Sequence, residues 1–234
     1  RWPVGEKAGY HMASSWFILG EVIARVSGRS FTDFVRSEVL EPCGMEETWI
    51  GMPQLVFEKK RERLGRMYGT ENGKRIERRW HEAPSVVGSS PGGNGRGPIR
   101  ELGLFYEMLL RRGVSESGRA VLTPQTVAAM TVPNRVGLYD YTFKQKLDWG
   151  LGFIVDSKHY GEASVAYGYG PFASRRTFGH SGYRSSTGFA DPEHDLVVAL
   201  VVNGQPSDAV HGRRFDALTG SIYRDLGLAP DSDS

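Results

Sequence analysis

The stretch "RTFGHSGYRSSTGFADPEHDLVVALVVNG", residues 176–204, decides the fold class. It contains three runs rich in β-branched and aromatic residues, and turn-forming residues separate them, which is typical of short strands joined by tight turns. The run "DPEHD", residues 191–195, suits a hairpin loop between "STGFA" and "LVVALVV". The stretch therefore predicts consecutive antiparallel strands.

Helical patterns flank these strands on both sides. Residues 14–28, "SSWFILGEVIARVSG", predict a helix that Ser14 or Ser15 would cap and that Gly28 would end. Ser30 then begins a second helix with a Ser-x-x-Asp capping pattern. The expected apolar face of the first helix consists of Trp16, Leu19, Ile23 and Val26.

A last helix is expected over residues 213–228, "RRFDALTGSIYRDLGL". Its expected apolar face consists of Phe215, Leu218, Ile222 and Leu226. Helices first, then antiparallel strands, then a closing helix predict the α+β class rather than alternating βα units. We expect a single domain over residues 1–234, mainly helical over 1–135, with antiparallel strands and the C-terminal helix over 136–234.

Composition excludes several classes of function. The chain of 234 residues has 29 Lys and Arg against 27 Asp and Glu, so its net charge of +2 does not indicate nucleic acid binding. The longest purely apolar run, residues 196–202, is too short to span a membrane. Oligomeric state and compartment stay open, although the single cysteine suits the cytosol.

Metal and cofactor chemistry has no motif in this sequence. The only cysteine is Cys43, which excludes a disulfide framework and a cysteine-based metal site. None of the six histidines forms a His-x-x-x-His pair, and no Walker loop is present. No metal and no cofactor are therefore expected.

The run "GHSG" at residues 179–182 begins like the nucleophile elbow of a hydrolase. That motif requires Gly-x-Ser-x-Gly between a strand and a helix, and here the fifth position is Tyr183. The residues that follow show no helical period. Ser181 is therefore predicted to be a polar strand residue and not a nucleophile.

Three features in order carry a resemblance to a known superfamily. They are "PVGEKAGYHMASSWFILGEVIARVSGRSFTDFVRSEVLEPCGM" (3–45), "VLTPQTVAAMT" (121–131) and "GHSGYRSSTGFADPEHDLVVALVVNG" (179–204). The chain resembles the serine hydrolases of the penicillin-recognising fold, which include class C β-lactamases, DD-peptidases and family VIII esterases. The resemblance implies an antiparallel sheet flanked by helices, with a helical subdomain.

The resemblance also implies site residues. Members of the superfamily use a Ser-x-x-Lys helix, a tyrosine loop and a strand motif of Lys-Thr-Gly or His-x-Gly type. The match "YHMASSWFILGE" makes Tyr10 the loop tyrosine and puts His11 beside it, and the strand motif falls on residues 180–182. Met12 replaces the Asn of the β-lactamase form Tyr-x-Asn, which favours an ester over a β-lactam.

The implied chemistry is acyl transfer to a serine from a small-molecule ester or amide. Tyr10 would act as the base, since a neighbouring ammonium group favours its phenolate form. The backbone N–H of Tyr183 would hold the oxyanion, and Gly182 would leave room for the acyl group. His180 would point into the cleft as a catalytic partner. His11 and Ser181 are assigned to substrate binding, although His11 could merely brace the loop.

The nucleophile motif is missing, because no serine in residues 1–234 has a lysine three places later. We therefore expect the C-terminal portion of a carboxylesterase-like enzyme that lacks its N-terminal segment and is inactive alone. "LVVALVV" would then have an unpaired edge and an uncovered apolar face, and the chain would be poorly soluble or oligomeric. The alternatives are a β-lactamase or DD-peptidase, a non-catalytic relative that binds in the same cleft, and an unrelated α+β binding protein.

Overall fold

The computed structural model describes residues 2–3, 5–161 and 169–230. The chain divides into two compact units. We call His11–Leu122 with Asn203–Gln205 the helical unit, and Arg1–Tyr10, Thr123–Val202 and Pro206–Ser234 the sheet unit.

The helical unit is built mainly from short helices. Its helices are α1 (Ser14–Ser27), α2 (Phe31–Val35, continued as a π-helical turn over Arg36–Leu40), α3 (Gln54–Lys60), α4 (Ala83–Val86) and α5 (Ile99–Leu110). Its first strands are β1 (Trp49–Ile50), β2 (Met67–Glu71), β3 (Lys74–Arg78) and β4 (Gly95–Arg96). β1 pairs with β4 and β2 with β3, both antiparallel.

The ends of α1 and α2 are fixed differently. The N-cap of α1 is Ala13, and no side chain caps it, so the prediction of a Ser14 or Ser15 cap is wrong. Ser14 is already the first helical residue, where its hydroxyl cannot take the capping position. Gly28 ends α1 in the left-handed region with φ 69°, and the Ser30 hydroxyl accepts a hydrogen bond from the Asp33 amide at 3.1 Å, both as predicted.

The expected apolar face of α1 is largely exposed. Leu19 is 52% exposed and Val26 is 84% exposed, while Trp16 and Ile23 are half-buried. The one buried residue of the helix is Gly20, where an added Cβ would lie 2.9 Å from the Pro91 ring. The helix therefore packs closely through its glycine and not through the predicted stripe.

The sheet unit holds a five-stranded antiparallel sheet and a separate two-stranded one. Its elements are α6 (Pro124–Thr131), β5 (Tyr139–Asp140), β6 (Gln145–Lys146), β7 (Asp148–Trp149), β8 (Ile154–Val155), β9 (Phe178–Ser181), β10 (Ser186–Asp191), β11 (Leu196–Val201) and α7 (Asp208–Asp225). The strand order is β11-β10-β9-β8-β7, and β5 pairs with β6 beside it in sequence. The predicted hairpin around residues 191–195 is confirmed, because Asp191 pairs with Leu196. Within the described residues β11 pairs on one side only.

The buried side of α7 differs from the sequence prediction. Phe215 and Tyr223 are fully buried together with His211 and Thr219, whereas Leu218 and Leu226 are 40% and 56% exposed. Tyr223 packs in one buried cluster with Phe189 and Trp149 of the sheet. Of the predicted face, Phe215 is buried and Ile222 is half-buried, so the prediction is confirmed for these two residues and wrong for Leu218 and Leu226.

A final short strand, β12 (Gly204–Gln205), belongs to the helical unit and pairs in parallel with β2.

No helix among the described residues is long and apolar enough to cross a membrane.

Candidate active site

A short turn after β5 fixes the backbone of Tyr10. The Asp140 carboxylate accepts hydrogen bonds from the amides of Tyr10 at 3.2 Å, Thr142 at 2.9 Å and Phe143 at 3.2 Å. The Thr142 hydroxyl donates to the Tyr10 carbonyl at 2.9 Å. Both polar groups of the Tyr10 backbone are therefore bound to residues 140–142.

Asp140 is itself held by an ion pair. Its side chain is fully buried, and its other oxygen lies 2.7 Å from Arg135 Nη2. The Arg135 guanidinium also lies over the Trp149 ring, 5.2 Å from its centroid. A buried carboxylate needs such partners, because an unpaired charge in the interior is costly.

The Tyr10 side chain lies among aromatic rings. Its ring centroid is 5.3 Å from that of Trp149 with an interplanar angle of 16°, and 5.4 Å from that of Phe143. The His180 ring lies 5.3 Å away on β9. The fold thus brings together the tyrosine loop and the strand motif, which come from opposite ends of the chain.

Sequence reasoning missed Asp140, Arg135, Phe143 and Trp149. The only signal for Asp140 is its place in "YDYTF", where an Asp followed by polar and aromatic residues suits a turn. Trp149 is an ordinary strand aromatic in sequence. Their roles arise from tertiary contacts that no local pattern indicates.

The His180 ring lies beside the Tyr10 ring, and one of its nitrogens can accept a hydrogen bond. Its Nδ1–H donates to the Ser181 carbonyl at 2.9 Å, an assignment that follows because a carbonyl only accepts. In the neutral ring Nε2 therefore carries the lone pair. Nε2 is buried and has no hydrogen-bond partner among the described residues. Burial lowers the pKa of His180, and the Ser181 hydrogen bond only partly opposes this, so the neutral form is favoured.

Ser181 lies on the other face of β9. Adjacent residues of a strand point to opposite faces, and the Ser181 hydroxyl donates to Thr187 Oγ1 at 3.1 Å across the sheet. Thr187 is buried at the partner position in β10. The assignment of Ser181 to substrate binding stays a prediction.

Gly182 and Tyr183 begin the turn between β9 and β10. The Gly182 amide donates to the Ser186 carbonyl at 2.9 Å, and a Cβ on Gly182 would fall on the Ser186 hydroxyl. The Tyr183 ring is 52% exposed, with the Arg184 guanidinium 4.9 Å from its centroid. The proposed contributions of Gly182 and of the Tyr183 amide stay predictions.

His11 belongs to the helical unit and is exposed. Its Nδ1 lies 3.2 Å from the Ser14 hydroxyl in the first turn of α1. This contact agrees with a bracing function, and binding of substrate by His11 stays a prediction.

Cysteine nucleophiles and metal sites are two other kinds of chemistry on which the structure bears. Burial raises the pKa of the Cys43 thiol to about 11, so it is protonated and a poor nucleophile at neutral pH. Over residues 2–3, 5–161 and 169–230, no group of three or more His, Cys, Asp or Glu side chains could hold a metal ion.

The fold and the sequence together place the chain among the β-lactamase-like and penicillin-binding-protein-like serine hydrolases. The family model described as Beta-lactamase matches residues 1–221, and the chain belongs to that family. The antiparallel sheet with flanking helices confirms the fold class that the sequence predicted.

The individual proteins that the chain resembles share less than a third of its residues. The chain is 22% identical over 205 residues to an N-acetylmuramyl-L-alanine amidase of Bacillus subtilis, with 80% of this chain and 42% of the relative covered. Among solved structures, it resembles a penicillin-binding protein homologue from Caulobacter crescentus with 28% identity and a TM-score of 0.69. It also resembles a family VIII carboxylesterase with 24% identity and a TM-score of 0.69.

The chain spans only part of these proteins. The two structural matches each cover 94% of this chain but 60% of the Caulobacter protein and 61% of the carboxylesterase.

Proposed function

We propose that the Tyr10 loop and the β9 turn form part of the acyl-transfer site of a serine carboxylesterase that works through an acyl-enzyme. The observation that supports this most is the 5.3 Å separation of the Tyr10 and His180 rings. These two residues are the ones that the resemblance assigned to the tyrosine loop and the strand motif.

In this proposal Tyr10 takes the proton from the nucleophilic serine. Its phenolate would form beside the lysine of a Ser-x-x-Lys motif. No serine in residues 1–234 has a lysine three places later. The reaction therefore needs both groups from outside these residues, and residues 1–234 alone are expected not to turn over substrate.

The strand supplies binding groups. The Tyr183 amide would donate to the oxyanion. Glycine at position 182 would keep the turn close to β10, because the Ser186 hydroxyl occupies the space that a Cβ there would take. His180 Nε2 would accept a hydrogen bond from the substrate or from the reacting hydroxyls, because its other nitrogen is already bound to Ser181.

The choice of an ester as substrate rests on two supports. Met12 stands where β-lactamases of the superfamily have the Asn of Tyr-x-Asn. One structural neighbour is a family VIII carboxylesterase, although its identity of 24% is low.

An amide substrate is the second candidate. The 28% identity to a penicillin-binding protein homologue and the match to an amidase favour a β-lactam or peptide amide. Nitrocefin turnover at a rate above that of ester hydrolysis would favour this candidate over the esterase.

The test uses the product of the open reading frame that contains residues 1–234, with p-nitrophenyl butyrate as substrate. Tyr10→Phe should lower kcat by about 10² to 10⁴, the range expected for loss of a general base. Tyr139→Phe, an exposed tyrosine of β5, is the matched control and should stay within about twofold of the original.

Two results would count against the proposal. Equal activities of Tyr10→Phe and Tyr139→Phe would remove the tyrosine from the mechanism. Binding of the ester without any hydrolysis would favour the non-catalytic relative.

A further inference from the structure

The helical unit contains a cavity of about 330 Å³ that plays no part in the proposed acyl transfer. This volume lies within the range of small-ligand pockets. Its charged lining comes from Lys60, Arg63, Arg96 and Glu47, and its apolar lining includes Met52 and Leu64.

The lining is unbalanced in charge, with three cations against one carboxylate. Lys60 Nζ contacts Glu47 Oε2, and Arg63 Nη1 lies 3.6 Å from the same oxygen. The Lys60 hydrogen bond holds the pKa of Glu47 below its ordinary range, and the charges of Lys60 and Arg63 act in the same direction. Glu47 therefore remains ionised and is shared by two cations.

Arg96 is the third cation, and its charge is not neutralised by a carboxylate. Its guanidinium donates to the backbone carbonyls of Gly95 and Trp80 at 2.9 Å and of Ser85 at 3.4 Å. No carboxylate in the described part of the chain pairs with it. Burial lowers the pKa of Arg96, as expected for a guanidinium that has lost water without gaining an anion.

The apolar part of the lining limits the kind of occupant. Met52 is buried and Leu64 is half-buried, and both line the cavity beside the cations. A compact inorganic ion would leave these side chains without a partner. A molecule with a short hydrocarbon body and one negative end would cover both kinds of surface.

We propose that this cavity is a binding site for a small organic carboxylate, whose negative end lies against Arg96 and Arg63 and whose hydrocarbon body lies against Met52 and Leu64. Glu47 competes with the ligand for Lys60 and Arg63. The site is independent of the acyl-transfer residues, since none of them lines the cavity.

The experiment is an NMR titration of the ¹⁵N-labelled product of the open reading frame that contains residues 1–234, with butyrate at low ionic strength. The amides of Gly65 and Gly97, which line the cavity, should shift in a saturable manner. Butyramide has the same size without the charge and should bind at least about tenfold more weakly. Inorganic phosphate should also bind more weakly, because it lacks the hydrocarbon body.

Variants connect the shifts to the cavity. Arg63→Gln should weaken butyrate binding about three- to tenfold, since it removes one exposed cation. Glu47→Gln should strengthen it by a similar factor, because it releases Lys60 and Arg63. Arg61→Gln removes the same charge from a neighbouring residue that does not line the cavity, and it should leave the affinity unchanged.

Arg96→Gln is a harder variant to interpret because Arg96 also holds three backbone carbonyls. The Arg63 and Glu47 variants therefore decide the question. The proposal is overturned by non-saturable shifts, by equal binding of butyramide, by binding of phosphate as tight as that of butyrate, or by equal losses in Arg63→Gln and Arg61→Gln.

Discussion

At the scale of single residues, Asp140 determines where Tyr10 lies. Three amides and Arg135 bind its buried carboxylate, and one of the amides is that of Tyr10. The side chain thus connects the N-terminal stretch to the turn after β5. This connection is a structural contribution to the site, one step removed from the reacting atoms.

Asp140→Ala should lower the free energy of unfolding by about 3–5 kcal/mol, because it leaves Arg135 without its buried partner. Asp208→Ala, which breaks the exposed pair with Arg184, is the control and should cost less than about 1 kcal/mol. Urea denaturation of both variants measures the difference. Equal losses would show that the Asp140 network does not stabilise the sheet unit.

Asp191 is a second buried carboxylate with many donors. Its oxygens accept hydrogen bonds from the Ser174 amide and hydroxyl, from His194 and from the Tyr223 hydroxyl at 2.5–2.8 Å. Burial alone would raise the pKa of Asp191, but these hydrogen bonds outweigh it and lower the pKa well below its ordinary range.

Because the pKa of Asp191 is lowered in the folded chain, its ionised form stabilises the fold. A carboxyl whose folded pKa lies below its unfolded value of about 3.9 stabilises the fold above that pH and loses this contribution as the pH falls. The chain should therefore lose stability below about pH 4. Asp191→Asn should be less stable by about 2–3 kcal/mol at pH 7 and should lose less on acidification. Thermal unfolding between pH 2 and pH 7 measures this, and parallel pH curves for the two proteins would contradict it.

At the scale of elements, local signals predicted some features and not others. The β10–β11 hairpin and the Ser30 cap follow from turn and capping residues within a few positions, and the structure has both. The start of α1 and the buried face of α7 depend on which residues of other elements pack against them. Sequence periodicity alone placed Leu218 and Leu226 on the inner face of α7, where the structure has Tyr223.

Residues 50–97 show more strongly that local sequence patterns do not predict every element. The sequence predicts no individual helix or strand over residues 50–97, yet they contain α3, α4 and the β2–β3 hairpin. The Asn72–Gly73 turn of that hairpin, with φ values of 50° and 74°, was a readable signal. No local signal indicated the parallel pairing of β2 with β12, because it joins residues far apart in the chain.

Ser30, which caps α2, and Ser14, which caps no helix, give a test at this scale. Ser30→Ala should lower the free energy of unfolding by about 1 kcal/mol, because its hydroxyl accepts from the Asp33 amide. Ser14→Ala should change it by less than about 0.5 kcal/mol, since Ser14 does not cap α1. Chemical denaturation under identical conditions compares them. A larger loss at Ser14 would restore the cap that the sequence suggested.

At the scale of the whole molecule, α1 exposes apolar side chains and β11 has an open edge in the described residues. Phe17, Ile18 and Val22 of α1 are each at least 50% exposed. In the described residues the outer edge of β11 has no neighbouring strand, and Val201 at its end is 53% exposed. Exposed apolar surface and an open strand edge both promote association.

Chain 1–234 should therefore sediment as oligomers at micromolar concentration. Val201→Lys, which puts a charge at the open edge, should shift the distribution toward monomer. Val136→Lys adds the same charge beside Arg135, which bridges to Trp149 of β7 at the other end of the strand order, and it should have a smaller effect. Analytical ultracentrifugation of the three proteins distinguishes these cases, and a stable monomer for the original chain would contradict the expectation.

The candidate site itself was predictable only in outline. The motif match supplied Tyr10 and His180, and the fold brings their rings together. The residues that hold Tyr10 in place, Asp140 and Trp149, became apparent only from tertiary contacts. A sequence motif identifies reacting groups because their chemistry is specialised, whereas many residue types can serve as their supports.

In the proposed mechanism Tyr10 is the base of an acyl-enzyme reaction whose nucleophilic serine lies outside residues 1–234. The most direct measurement is intact-mass spectrometry after brief treatment with p-nitrophenyl butyrate, on the product of the whole reading frame, on its Tyr10→Phe variant and on chain 1–234. We expect one added butyryl group on a Ser-x-x-Lys serine of the first protein, much slower labelling of the variant, and no labelling of chain 1–234. Labelling of Ser181 in chain 1–234, or equal labelling with and without the Tyr10 hydroxyl, would contradict it.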